Sequence, residues 1–195
     1  MPTKNSATKW GWVSITLHWV TVLAIVGLAI VGTQMDDLPT SLVKVKVYAL
    51  HKSVGLTVLA LTALRLAWRL FAGAPKLAPM PRWQRLAAHA SHVALYALLF
   101  AMPLSGWLLH SASSNAGYAL KWFGLFKVPA IAAYDPALKH LAHELHEGIF
   151  KAILVVAIVH VAAAFKHHFV DRDDTLHRML PLLPDPAAAG PRETK

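Results

Sequence analysis

Long apolar stretches alternate with short polar segments along this chain of 195 residues. The first stretch runs from Trp10 to Met35 without any Asp, Glu, Lys or Arg, and a helix needs only ~20 apolar residues to cross a bilayer. Three further stretches, at about Val47 to Phe71, Leu86 to His110 and Leu141 to Phe169, carry their charges towards their ends. Since long basic side chains reach the interface from helix ends, we predict an all-α, integral membrane four-helix bundle.

The polar connections complete this outline. Residues Ala72 to Arg85 are rich in proline and basic side chains, which predicts a non-helical link. The connection from about Ser111 to His140 is longer, and its aromatic residues suit either a cover over a functional site or the membrane interface. We predict one membrane domain over residues 1–181 and a disordered cytoplasmic tail over residues 182–195.

Basic residues determine the predicted orientation. Most of the 19 Lys and Arg residues fall on the side that holds both termini, so the positive-inside rule places both termini in the cytoplasm. The net charge of +9 requires no nucleic acid partner, because anionic membrane lipid is nearest to residues that flank the spans. The absence of cysteine excludes disulfides, iron–sulfur clusters and covalent haem attachment through C-x-x-C-H.

Four histidines lie within the apolar stretches or at their ends: His18, His51, His146 and His160. Ligating groups inside a membrane are costly, so their default interpretation is functional. His146 and His160 are 14 residues apart, which on a helix corresponds to ~21 Å along the axis and nearly the same face. One helix thus offers a ligand near each membrane surface. We predict that His18 and His160 bind an inner haem and that His51 and His146 bind an outer haem.

The same interval of 14 residues separates His18 from Gly32, His51 from Arg65, and His92 from Gly106. A glycine lets a flat macrocycle approach the backbone, although small residues also let membrane helices pack closely. An arginine at haem depth would pair with a haem propionate, although it can also extend to the lipid headgroups. We predict that Arg65 neutralises a propionate of the inner haem.

Other histidines compete for these roles. His89 and His92 form an i, i+3 pair near the inner end of the third predicted helix, and they are the main alternatives to His18 as inner ligands. The segment His143-Glu144-Leu145-His146 has one residue too few between its histidines for the H-E-x-x-H zinc pattern. A zinc hydrolase is therefore not expected.

Short motifs occur over nearly the full length of the chain. They are His18-Trp19, His51 with Gly55, Arg65-Leu66 with Arg69-Leu70, His89-x-x-His92-x3-Tyr96, Pro103-x2-Gly106, Trp122-Phe123-Gly124, Leu145-His146-Glu147, His160, His167-His168, and Asp174-Thr175-Leu176-x-Arg178-Met179-Leu180-Pro181. No single motif is specific, but together they resemble the bacterial dihaem cytochrome b561 family, and within it the small stand-alone members that oxidise superoxide.

The resemblance implies two b haems held by four histidines on helices one, two and four. The matching positions are His18, His51, His146 and His160. It also implies a bacterial inner-membrane protein that takes electrons from superoxide at the periplasmic side and passes them to ubiquinone. Because the family includes cytochrome b anchors, the alternative is a subunit that links a periplasmic redox partner to the quinone pool. A haem transporter fits poorly with two sites whose ligands are saturated.

Two more sets of residues follow from that expected activity. Quinone reduction consumes protons, so we expect quinone near the inner end, lined by His89, His92 and Arg85; helix capping or packing is the alternative for both histidines. Superoxide is an anion, so we expect Lys52, which directly follows His51, to attract it towards the outer haem. Ordinary solvation at a helix end is the alternative for Lys52.

Overall fold

Long helices make up most of the computed structural model, which describes residues 3–113 and 119–180. They are α1 (Trp12–Gly32), α2 (Leu42–Ala72), α3 (Arg82–Ser113) and α4 (Pro136–Lys166). Between α3 and α4, the strands β1 (Lys121–Trp122) and β2 (Phe126–Lys127) pair antiparallel. A π-helical turn (His167–Asp171) and the short helix α5 (Thr175–Met179) follow α4. All four long helices have the length and apolar composition needed to cross a membrane.

Capping side chains start two of these helices earlier than the apolar pattern predicts. Before α4, the Asp135 carboxylate accepts hydrogen bonds from the backbone N–H groups of Ala137 and Leu138 at 2.8 and 3.1 Å. Pro136 then occupies the first helical position, where its missing N–H costs nothing. Before α2, the Ser41 hydroxyl accepts a hydrogen bond from the backbone N–H of Lys44 at 3.2 Å. Hydropathy alone does not detect such polar starts.

The long helices bury small polar side chains and expose large apolar ones. Leu42 and Leu70 are 80% and 78% exposed, whereas Thr62 is 1% exposed. The Thr62 hydroxyl donates to the Val58 carbonyl of its own helix at 2.7 Å, so its burial leaves no unmet hydrogen bond. Apolar side chains on the outside and small polar ones inside suit helices that pack together in lipid.

The described chain forms two compact units, to which the long helices contribute in turn. The terminal unit consists of the described parts of Met1–His18, Arg65–Leu95 and Leu154–Lys195. The hairpin unit consists of the described parts of Trp19–Leu64 and Tyr96–Ile153. The predicted tail, residues 182–195, lies outside the described residues.

In the terminal unit, Asn5 ties the N-terminal segment to the link that follows α2. Its side-chain amide donates to the Gly73 carbonyl at 2.7 Å and accepts from the Gly11 N–H at 2.9 Å and the Ser14 hydroxyl at 2.7 Å. As predicted, residues 73–81 of the link contain no helix. Their backbone groups bond instead to the N-terminal segment.

In the hairpin unit, the two strands are held against α2. The Ser53 hydroxyl accepts a hydrogen bond from the Phe123 N–H at 3.0 Å, and the Trp122 indole N–H donates to the Thr57 hydroxyl at 3.1 Å. The turn between the strands has positive φ at Phe123 and Gly124, 46° and 77°, and glycine adopts such values without strain. The hairpin is therefore anchored two residues beyond His51.

Candidate functional site

The hairpin unit brings His51 of α2 opposite His146 of α4. Their ring centroids are 6.5 Å apart, with the ring planes inclined by 70°. Both side chains are half-buried. Among the described residues, the Nδ1 atom of His51 has no hydrogen-bond partner. The outer pair proposed from the sequence is thus adjacent in space.

This separation allows a direct test of whether the pair fits an iron centre. Imidazole nitrogens bind metals at about 2.0–2.1 Å, so two imidazoles on opposite sides of one metal have centroids roughly 6 Å apart. The observed 6.5 Å meets that requirement. Histidine is also a common axial ligand of haem iron. The donor set and its spacing therefore fit a haem held by His51 and His146.

Glycines provide the room for both imidazoles. A Cβ atom added to Gly32 of α1 would lie 3.1 Å from Cε1 of His51, and one added to Gly106 of α3 would lie 3.0 Å from Cε1 of His146. The sequence interval correctly placed these glycines beside the outer pair. In the structure, however, the space that they leave faces the imidazole rings themselves, a role that the spacing did not suggest.

Two side chains that the sequence analysis did not select complete this environment. The Ser105 hydroxyl lies 2.9 Å from Nδ1 of His146, and His110 lies with its Nδ1 atom 3.1 Å from Nζ of Lys52. The only sequence signal for Ser105 is a hydroxyl in an apolar stretch, between Pro103 and Gly106. His110 follows the same stretch and resembles an ordinary helix-end residue.

Lys52 occupies a specific position rather than the solvated helix end considered from the sequence. Besides its contact with His110, its ammonium lies 5.9 Å from the centroid of the Tyr48 ring. The Tyr48 hydroxyl in turn donates to the Asp36 carboxylate. Lys52 is half-buried, so this cation adjoins the His51 pair at a defined point.

The terminal unit gathers three histidines and an arginine. The rings of His92 and His160 have centroids 5.5 Å apart and planes inclined by 66°. His18 lies within electrostatic range of both rings and of Arg65. Arg65 also acts on His160. The structure therefore groups the predicted inner ligands, His18 and His160, with their rival His92 and with the predicted propionate partner.

The three predicted quinone residues do not share one environment. His92 is half-buried against His160, whereas His89 and Arg85 of the same helix are exposed. The geometry associates His92 with the candidate ligands more closely than with a separate quinone pocket.

A second network in the terminal unit lies at the end of α4. Nδ1 of His167 is 3.1 Å from Oδ2 of Asp171 and 2.7 Å from Oδ2 of Asp173, and the Lys166 ammonium is 2.6 Å from Oδ2 of Asp171. Burial raises the pKa of the Asp173 carboxyl, but hydrogen bonds from Thr175 and His167 outweigh it, and the net pKa lies below the ordinary value. These contacts form an ion-pair network that closes the helix end.

The comparison with protein families agrees with this arrangement. Residues 9–182 match the family model described as prokaryotic cytochrome b561. The chain belongs to this family. The match confirms the resemblance found in the sequence, and the predicted all-α membrane architecture is confirmed with it. Membership also implies b-type haem and a role in electron transfer in a multi-pass membrane protein.

Three relatives differ in how specifically they are described. Cytochrome b561 homolog 2 of Escherichia coli (strain K12) is 36% identical over 90% of this chain and 93% of its own length. Cytochrome b561 homolog 1 of the same strain is 30% identical over 86% and 94%. A probable superoxide oxidase, CybB, of Yersinia pestis is 25% identical over 89% and 96%. The most similar of the three thus carries only a family name.

Proposed function

We propose that this cytochrome b561 oxidises superoxide at the periplasmic face of the bacterial inner membrane and reduces ubiquinone, with two b-type haems as cofactors. Both termini would lie in the cytoplasm, and residues 1–181 would form the cytochrome domain. The observation that carries the proposal is the opposed His51–His146 pair, at 6.5 Å, with the half-buried cation Lys52 next to it. That arrangement combines a haem-ligand pair with a positive charge suited to an anionic electron donor.

The histidines would hold the cofactors in two pairs. His51 and His146 would bind the periplasmic haem, and His18 and His160 would bind the cytoplasmic one. A bound b-type haem supplies one-electron transfer. Arg65, which acts electrostatically on both His18 and His160, would neutralise a propionate of the cytoplasmic haem.

Lys52 would attract superoxide to the periplasmic site. A positive charge beside a site raises the local concentration of an anion and its encounter rate, an effect that salt screens. The contact with Nδ1 of His110 at 3.1 Å holds the ammonium in place. Because this lysine is partly desolvated, its field is screened less than that of a fully hydrated surface lysine.

Quinone would bind at the cytoplasmic end of the protein. Two superoxide ions give up one electron each and leave as dioxygen, and one ubiquinone takes both electrons with two protons to become ubiquinol. His89, His92 and Arg85 are the candidates to line this site. Among them, His92 has the contact with a predicted ligand, since its ring lies 5.5 Å from that of His160.

Rapid mixing of potassium superoxide with the purified, haem-loaded protein tests this function. We expect haem reduction without any protein partner, followed by reoxidation on addition of a soluble ubiquinone. We also expect slower reduction in Lys52→Gln and at higher ionic strength. Failure of superoxide to reduce the haems would refute the enzyme proposal while leaving the ligand assignment open.

The alternative is an electron-transfer subunit for a periplasmic redox partner. The β-hairpin favours this alternative, because Phe123, Leu125 and Phe126 are 47%, 75% and 57% exposed, and exposed apolar groups of this kind occur at interaction sites. In that case superoxide would leave the haems oxidised. Reduction would then require a partner protein, and substitution of Leu125 by Ser would slow it.

A further inference from the structure

The two histidines of the hairpin unit differ in the support that their imidazole rings receive. Ser105 Oγ lies 2.9 Å from Nδ1 of His146, whereas Nδ1 of His51 has no hydrogen-bond partner among the described residues. The partner of a histidine's second nitrogen decides which tautomer the ring adopts and how basic the ligating nitrogen is. The pair is therefore unequal before any metal binds.

The direction of the serine hydrogen bond follows from its other contact. The Ser105 hydroxyl donates to the Met102 carbonyl of its own helix at 2.8 Å. Its single hydrogen is thereby used, and its lone pairs are left to accept the Nδ1–H of His146. The Met102 carbonyl accepts a hydrogen bond from the same imidazole. A ring that carries its proton on Nδ1 presents an unprotonated Nε2 to a metal.

Packing keeps the serine and the imidazole in this arrangement. Ser105 is only 7% exposed, so water does not compete freely for its hydroxyl. The next residue, Gly106, admits the edge of the ring, since an added Cβ would come within 3.0 Å of Cε1 and 3.4 Å of Nδ1. Adjacent positions of α3 thus supply the hydrogen bond and the space.

We propose that Ser105 is a positioning residue for His146, which it orients through Nδ1 so that Nε2 is a stronger donor to iron than that of His51. This inference rests on the proposed assignment of His51 and His146 as ligands of one haem. A stronger donor stabilises the oxidised iron. Loss of the Ser105 hydroxyl should therefore raise the midpoint potential of that haem and leave the other haem unchanged.

Potentiometric titration of the purified full-length protein, followed optically and by electron paramagnetic resonance, tests the proposal. We expect the potential of one haem to rise in Ser105→Ala, to rise less in Ser105→Cys, whose thiol is a weak acceptor of similar size, and to stay near the original value in Ser105→Thr. The low-spin signal of the same haem should change in parallel. Thr62→Val is the matched control, because it removes a buried hydroxyl that bonds only its own helix carbonyl.

The outcomes separate this inference from the proposed function. Unchanged potentials in both Ser105→Ala and Ser105→Cys would overturn the positioning role while leaving the two haems in place. An equal shift in Thr62→Val would also overturn it, since the effect would then be a general one. If Ser105→Ala does not fold, the order of Ser105→Cys and Ser105→Thr decides the same question. Retention of both six-coordinate haems in His146→Ala would instead refute the ligand assignment itself.

Discussion

The histidines of the hairpin unit and those of the terminal unit have different neighbours. In the hairpin unit, His51 and His146 are surrounded by glycine, by the Ser105 hydroxyl and by a lysine that is hydrogen-bonded to another histidine. In the terminal unit, His160 has His92 beside it and the positive charge of Arg65 within range. Shape and hydrogen bonding dominate around the first pair, and charge dominates around the second group.

This difference has a consequence for the direction of electron flow. A fixed positive charge near a redox centre favours its reduced state, and such interactions are strong where water is scarce. Arg65 and Arg69 both act on the terminal unit's histidines. A strongly donating imidazole, as expected for His146, favours the oxidised state. Both effects would move electrons from the hairpin unit's haem to that of the terminal unit, in the direction that the proposed function requires.

The largest expected effect is the loss of one haem. Replacing His51 with Ala removes one axial ligand of the hairpin unit, so we expect haem content to fall from about two per chain to about one and one step of the redox titration to disappear. Haem extraction and titration measure both. His140→Ala is the control, because that side chain is 79% exposed on α4. Two intact low-spin haems in His51→Ala would contradict the assignment.

The same measurement distinguishes the rival ligands of the terminal unit. His18→Ala should remove the second haem, whereas His92→Ala should retain it with a shifted spectrum. The opposite result would make His92, whose ring lies 5.5 Å from that of His160, the true ligand. The terminal unit would then use neighbouring helices α3 and α4, unlike the pair on α2 and α4 in the hairpin unit.

A smaller effect is expected from filling the glycine space. Gly106→Ala would place a Cβ 3.0 Å from Cε1 of His146, and such overpacking costs about 1–3 kcal/mol. Haem should therefore be lost at a lower temperature, by roughly 2–4 °C per kcal/mol, and mainly from the hairpin unit. The control is Gly148→Ala, since nothing lies within 4 Å of a Cβ at Gly148. Equal behaviour of the two variants would exclude a steric role for Gly106.

The charge around the terminal unit can be changed without altering its ligands. Arg65→Gln removes a cation that acts on His18 and His160, so we expect the terminal unit's haem to become harder to reduce, by about 1–2 kcal/mol. The hairpin unit's potential should hardly move. Arg82→Gln, an exposed substitution at the start of α3, is the control. A larger shift in the hairpin unit's haem would contradict the predicted contact with the inner haem.

The sequence predicts the helices and the histidine pairs because both have strong signals. Uninterrupted apolar stretches determine the spans, and an interval of 14 residues between His146 and His160 determines two depths on one helix. Helix starts were less predictable, since Asp135 and Ser41 cap their helices through side-chain hydrogen bonds outside the apolar stretches. Local polarity, not hydropathy, decides those positions.

The supporting residues depend on contacts between helices, which a sequence without known register does not contain. Ser105 meets His146 across 41 positions of sequence, and Lys52 meets His110 across 58. Gly32 and Gly106 were selected for the right location and the wrong neighbour, because the interval determines depth along a helix but not the direction in which the residue faces. Their roles emerge only when all four helices are placed around the imidazoles.

The smallest expected effect concerns the ion-pair network that closes α4 in the terminal unit. The pKa of Asp173 lies below its ordinary value of 3.8, so its folded form binds protons less readily than its unfolded form. Its stabilising contribution is present above about pH 4 and is lost as the pH falls through the lower, folded pKa. The groups that face it are His167 and, through that imidazole, Asp171 and Lys166.

Asp173→Asn should therefore lower the stability of the terminal unit near neutral pH by less than about 1 kcal/mol, a small effect because solvent screens this partly exposed group. The difference from the unsubstituted protein should shrink as the pH falls below about 4, where the native carboxylate itself becomes protonated. Thermal unfolding in detergent at several pH values, followed separately for each haem, measures it. Asp37→Asn, in the hairpin unit, controls for the loss of a surface charge. A stability difference that grows towards low pH would mean that the carboxylate is not the stabilising form, and the network would then play no part in closing the helix.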